Sequence, residues 1–126
     1  MIQVSEGWEM QVERGPDWLF VRPYSIGGDF SSTPPWAEQM WTLLEQYQTR
    51  RLVVDLEQVP LLHSYLIGQL VALHKRICTH GGLMRLCGVS LANQQVLRLC
   101  RLDERFPPYY NRGDAVMGHY CPPQPR

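Results

Sequence analysis

Apolar and polar positions alternate from Trp8 to Glu13, with Trp8, Met10 and Val12 on one side and Glu9, Gln11 and Glu13 on the other. A period of two marks a strand with one wet face. Gly15-Pro16-Asp17 interrupts the pattern with turn chemistry, and Trp18 to Val21 resumes it as a short apolar run, so the segment predicts a β-hairpin. Ser25 to Thr33 holds four Ser/Thr and two Gly with little to bury, and reads as a mobile surface loop. The period then lengthens. Thr33 before Pro34-Pro35 reads as the start of a helix reaching about Gln48, with Thr33 capping and Pro losing nothing at the first helical position. Ala37, Met40, Trp41 and Leu44 form its core stripe, and Trp36, Leu43 and Tyr47 widen the apolar arc beyond what one packed face needs.

Leu52-Val53-Val54, ending in Asp55-Leu56, reads as a buried central strand. Pro60 stops that segment and Ser64 is a candidate cap. Leu66, Ile67, Leu70, Val71, Leu73, His74, Ile77 and Cys78 then recur at helical spacing until Gly81-Gly82. Leu83 to Gly88 is another short apolar strand. Ser90 caps a third helix carrying Leu91, Val96, Leu97 and Cys100, and Leu102 closes it. Phe106 to Tyr110 reads as a last short strand, Gly113 to Gly118 as a short helix, and His119 to Arg126, with three prolines in eight residues, as a frayed tail. The expectation is one α/β domain over residues 1–118. Its sheet is mixed and mostly parallel, with an antiparallel N-terminal hairpin at the edge and helices mainly on one side.

Composition narrows the class. The 126 residues carry 12 Lys+Arg against 12 Asp+Glu. That balance lacks the basic footprint that a nucleic acid requires, so none is expected as partner. Met1 to Met10 holds Glu6 and Glu9 and no basic, then apolar, leader pattern; Val59 to Leu73 is broken by His63, Ser64 and Gln69 and falls short of the ~18 apolar residues of a membrane span. A cytoplasmic protein with no direct membrane insertion is the expectation. Cys78, Cys87, Cys100 and Cys121 form no CxxC pair and no zinc spacing with histidine, so neither metal nor other cofactor is expected. The first three read as small buried hydrophobes.

Catalytic motifs are scarce. Gly88-Val89-Ser90-Leu91-Ala92 is a near miss to the nucleophile elbow, with Asp103 and His119 following in hydrolase order, but Ser90 also sits where an ordinary helix cap belongs. No catalytic residue is assigned. His74, on the apolar stripe, reads as a core or boundary residue, and Arg112-Gly113-Asp114 as a turn opening the last helix.

The run Leu52-Val53-Val54-Asp55-Leu56, then Val59, then His63-Ser64-Tyr65-Leu66-Ile67-Gly68 and a helix ending in Gly81-Gly82 resembles the STAS domain of anti-sigma factor antagonists. The resemblance continues through Leu83, Val89-Ser90, Val96-Leu97, Leu102 and Phe106 to Ala115, covering roughly residues 50–117. It implies a D-S-[S/T]-G loop at the start of the second helix, whose second hydroxyl is phosphorylated by a partner serine kinase. The physics of that place is independent: free N–H groups and the helix dipole stabilise added negative charge. Here His63 stands for the Asp, Ser64 matches the first Ser, Tyr65 replaces the phosphoacceptor and Leu66 the Gly.

What the resemblance implies is a bacterial, non-enzymatic regulatory module that binds an anti-sigma factor, a serine kinase-like switch protein or another signalling partner. The switch loop is His63, Ser64 and Tyr65, with partner contacts from Leu62, Leu66, Ile67 and Gln69. The apolar face of Trp36, Leu43 and Tyr47 suggests either a second interface, a homodimer among the options, or a surface over which the Ser25 to Thr33 loop folds. The alternative is a STAS accessory subunit of an ABC-type lipid transporter, a role that needs no phosphoacceptor.

Overall fold

The computed structural model describes residues 2–3, 8–25 and 34–118, and of 2–3 only the backbone. The alternation at the N-terminus becomes β2 (Trp8–Arg14), flanked by the two-residue β1 (Ile2–Gln3) and by β3 (Leu19–Ser25). α1 (Trp36–Tyr47), β4 (Arg51–Asp55), α2 (Ser64–Thr79), β5 (Leu83–Cys87), α3 (Leu91–Leu99) and α4 (Arg112–Met117) follow. The sheet runs β1-β2-β3-β4-β5 in space. β1, β2 and β3 pair antiparallel, whereas β3-β4 and β4-β5 pair parallel through the helical crossovers. Pro23 is tolerated within β3 because pairing to β4 stops at Val21, leaving that side of the strand without a ladder to feed.

Alternation sorts the strand residues to two faces. Trp8, Met10, Leu19, Val21, Leu52, Val54, Met84 and Leu86 face the main core with α1, α2 and α3. Trp18, Val53 and Cys87 face a smaller cluster closed by Tyr109 and Ala115 of the C-terminal segment. One helix, α4, therefore covers part of the far side, and three pack on the near side.

Several expectations change here. The loop Ser25 to Thr33 lies outside the described residues beyond Ser25, as does the tail 119–126 with Cys121. The N-cap of α1 is Pro35, with no side-chain cap; Gln69 of α2 supplies the acceptor instead, its Oε1 2.9 Å from the Ala37 N–H. Phe106 to Tyr110 forms no strand, only a single bridge between Cys87 and Tyr109. In α3 the buried residues are Asn93 and Leu97, while Leu91 is 82% exposed, so the helix is rotated from the predicted face. Cys78 and Cys100 are exposed, on the solvent side of α2 and at the C-cap of α3; among the described cysteines only Cys87 is buried, and burial pushes its thiol up to about 12.

Trp36 and Leu43 do not form a second interface. Both are buried in the main core, Trp36 meeting Trp8 edge-on at 5.3 Å, because α1 is wedged between the sheet and α2 and needs apolar side chains toward both. Tyr47 is half-buried beside them.

Candidate functional site

The connections that leave β4 and β5 end side by side at one edge of the sheet, and a single buried side chain joins them. Ser90 is the N-cap of α3, its hydroxyl accepting from the Asn93 N–H at 3.1 Å. Fixed in that first turn, the Asn93 side chain is fully buried: its Oδ1 accepts from the Leu62 N–H at 2.9 Å and its Nδ2 donates to the Val59 carbonyl at 3.0 Å. The Leu56 to His63 loop thus has two of its backbone groups satisfied by another element. Ser90 is committed to a cap, and His119 of the hydrolase order lies outside the described residues.

The loop delivers the chain to α2 one residue earlier than the sequence suggests. His63 is the N-cap, extended at φ −79° and ψ 170°, and makes no side-chain cap; its Nε2 is buried without a hydrogen-bond partner. Ser64 becomes the first helical residue, exposed, its hydroxyl not used as a cap. Tyr65 is half-buried and packs against the main core, its ring 6.4 Å from that of His63. Leu62 and Leu66 are 1% and 0% exposed and Ile67 is buried too, so these three support the loop from beneath and offer a partner no surface. The apolar groups that do face outward at this edge are Leu61, Leu91 and Tyr110, 53%, 82% and 85% exposed. Leu91 and Tyr110 line an open cleft of about 550 Å³ shared with Glu57 and Gln94.

Beneath the edge, on the far face of the sheet, Asp55 is buried and bound by Arg22 through Nε and Nη2 at 3.2 and 2.9 Å, with Arg112 Nε at 3.6 Å. Hydrogen bonding to Asp55 raises the Arg22 pKa above its usual value. The other oxygen of Asp55 accepts from the Glu57 N–H at 3.0 Å, fixing the first step of the loop. Gly88, at φ +66°, faces that oxygen so closely that a Cβ would lie 2.6 Å from it. This network escaped the sequence because its members lie far apart in the chain. Asn93 was missed as well, although a polar residue on the Val96-Leu97 stripe was a signal that could have found it.

At the middle of α2, His74 packs edge-on against Phe106 and accepts at Nδ1 from Arg105, since a guanidinium only donates. Burial, then the Arg105 charge, lower its pKa. This boundary residue lies three turns along the helix from Ser64 and is not brought to the site. Among the described residues no group of His, Cys, Asp and Glu converges as a metal site, and no helix is long and apolar enough to cross a membrane.

The model of the STAS domain family matches residues 24–115. The chain belongs to the STAS domain family. Solved structures agree with the fold. An anti-sigma factor antagonist from Mycobacterium paratuberculosis superposes with a TM-score of 0.68 at 23% identity, over 88% of this chain and 92% of that one. A STAS domain protein from Planctomyces limnophilus does so at 0.66 and 26%, over 86% and 96%. The phosphorylated form of the Bacillus cell fate determinant SpoIIAA gives 0.62 at 12%, over 87% and 98%. No curated protein sequence matches the chain.

Proposed function

We propose that this STAS domain is a non-enzymatic docking module of the anti-sigma factor antagonist kind, which binds a switch kinase or related signalling protein through the edge formed by the Leu56 to His63 loop and the starts of α2 and α3. The serine switch that the family resemblance implies at position 65 is absent, Tyr65 taking that place as a packing residue. The observation that carries the reading is the division of labour at the start of α2: Tyr65 turns into the core while Ser64 stays exposed with a free hydroxyl. Around it, exposed Leu61, Leu91 and Tyr110 give apolar contact area on a loop already ordered by Asn93, so little entropy is lost on docking.

Affinity capture from the native host tests this, comparing wild type with Ser64→Glu and Leu91→Glu, both at exposed positions that the fold tolerates. The expected result is recovery of a serine kinase or sigma-regulatory protein by the wild type, lost in both variants. Recovery of a transporter ATPase, or capture indifferent to both substitutions, overturns it. So does phosphoserine on Ser64 in intact protein from that host, because the switch would then be one residue away and alive.

A further inference from the structure

α3 turns a polar residue inward and two leucines outward. Its buried residues are Asn93, spent on the Leu56 to His63 loop, and Leu97, whereas Leu91 and Leu99 are largely exposed and belong to neither core cluster. A single exposed leucine is ordinary on a protein surface. These two are not scattered. Residues four apart line up as one ridge along a helix, and Leu91, Gln95 and Leu99 form such a ridge, exposed along its whole length. Ala92 and Arg98, also exposed, flank it on its two sides.

Charge limits what this face can take. Arg98 is the one charged side chain from Leu91 to Leu99; its Nη1 reaches Gln95 Oε1 at 3.5 Å, and it has no carboxylate partner among the described residues. One cation falls short of the cluster of about four or more that holds a polybasic segment on anionic lipid. A second copy of the same helix fits better, because the order of residues is self-complementary. Counting four positions from Gln95 in either direction reaches a leucine. Rotation about a two-fold axis through Gln95 therefore lays two copies of α3 antiparallel and sets Leu91 against Leu99 of the second copy at both ends. The two Gln95 amides meet on the axis, each able to donate to and accept from the other. The same rotation puts Arg98 opposite Ala92 of the second copy, so each arginine stem crosses a methyl group and the two guanidinium groups stand on opposite sides of the axis. No charge is buried and no like charges meet.

We propose that α3 is a self-association face, on which two copies of this chain form a two-fold dimer through the ridge of Leu91, Gln95 and Leu99. A contact made by one nine-residue helix buries well under the ~800 Å² per partner of a stable interface, so the dimer is weak and reversible, with a Kd on the order of 0.1–1 mM. Leu91 also stands at the docking edge, so the dimer and a partner seated there exclude each other. The dimer itself does not rest on the function proposed above.

The test is sedimentation velocity of the full chain from about 10 μM to about 1 mM, with amide shifts followed over the same series. The expected result is a weight-average mass that climbs from monomer toward dimer and no further, since a two-fold contact closes on itself, with shifts confined to α3. Leu91→Lys and Leu99→Glu, both at exposed positions, should each weaken association by about tenfold or more. An equimolar mixture of the two should recover it in part, because only the mixed dimer sets the two new charges against each other and keeps the second leucine pair. A mass that stays monomeric throughout, a mass that grows past the dimer, or a variant that associates like wild type overturns the proposal. So does a mixture that stays monomeric, since it denies the antiparallel pairing. Shifts centred outside α3 also overturn it and assign self-association to another face.

Discussion

The starts of α2 and α3 follow the same sequence grammar, a short buried parallel strand, a turn and a serine before a helix, yet the two serines do opposite things. Ser90 is the residue before α3 and spends its hydroxyl on the Asn93 N–H. Ser64 is the first residue inside α2, behind an N-cap, His63, whose side chain caps nothing. The connection Gly88-Val89-Ser90 is short enough to be fixed by its own turn and cap, while Leu56 to His63 is longer and borrows order from the other helix through Asn93. The start of α3 is therefore the support and the start of α2 the supported surface. A hydroxyl that the fold does not need is free for a partner; one that caps a helix is not.

The largest expected effect tests that dependence. Asn93→Ala removes two hydrogen bonds and leaves the Leu62 N–H and Val59 carbonyl facing a buried gap, which at 1–3 kcal/mol for each unsatisfied group amounts to about 3 kcal/mol lost. Urea denaturation measures it, and hydrogen exchange should show the Leu62 amide losing protection before the core strands. A loss well under that figure would mean that the loop holds itself. Next in size is Ser90→Ala, expected to cost about 1 kcal/mol by thermal denaturation because one cap bond goes and Asn93 is less firmly set.

Those two residues also mark the boundary of what the sequence made legible. Strong periodicity carried over into structure: the alternation at Trp8 to Val12 became β2, Leu52 to Val54 became a strand buried on both faces, and the Leu66 to Ile77 spacing became α2. The apolar arc of Trp36 and Leu43 was visible too, but width alone could not say whether a second element of the same chain would fill it, and α2 does. Caps failed for a related reason. A serine near a helix start fits N-cap or N1 equally in sequence, and the loop length, set by Asn93 from outside the segment, decides between them. The Arg22-Asp55-Arg112 cluster needed the parallel register of β3 and β4 before it could be seen at all.

A smaller effect runs in the other direction. His63 occupies a cap position with the extended backbone a cap requires, yet contributes a buried, unpaired Nε2. His63→Asp places a carboxylate where it can accept from the first-turn N–H groups and complement the dipole of α2, and should raise stability by about 1 kcal/mol in chemical denaturation. A loss instead would mean that the imidazole is held by its packing beside Tyr65 more firmly than the lost cap costs.

The smallest expected effect is the one on which the contrast between the serines depends most directly. Ser64→Ala removes an exposed hydroxyl that caps nothing at a position where alanine is the better helix former, so the melting free energy should change by less than about 0.5 kcal/mol. Measured beside Ser90→Ala under the same conditions, the pair should separate clearly. If Ser64→Ala costs as much as Ser90→Ala, its hydroxyl is part of the helix start after all, and the exposed position is structural rather than available for docking.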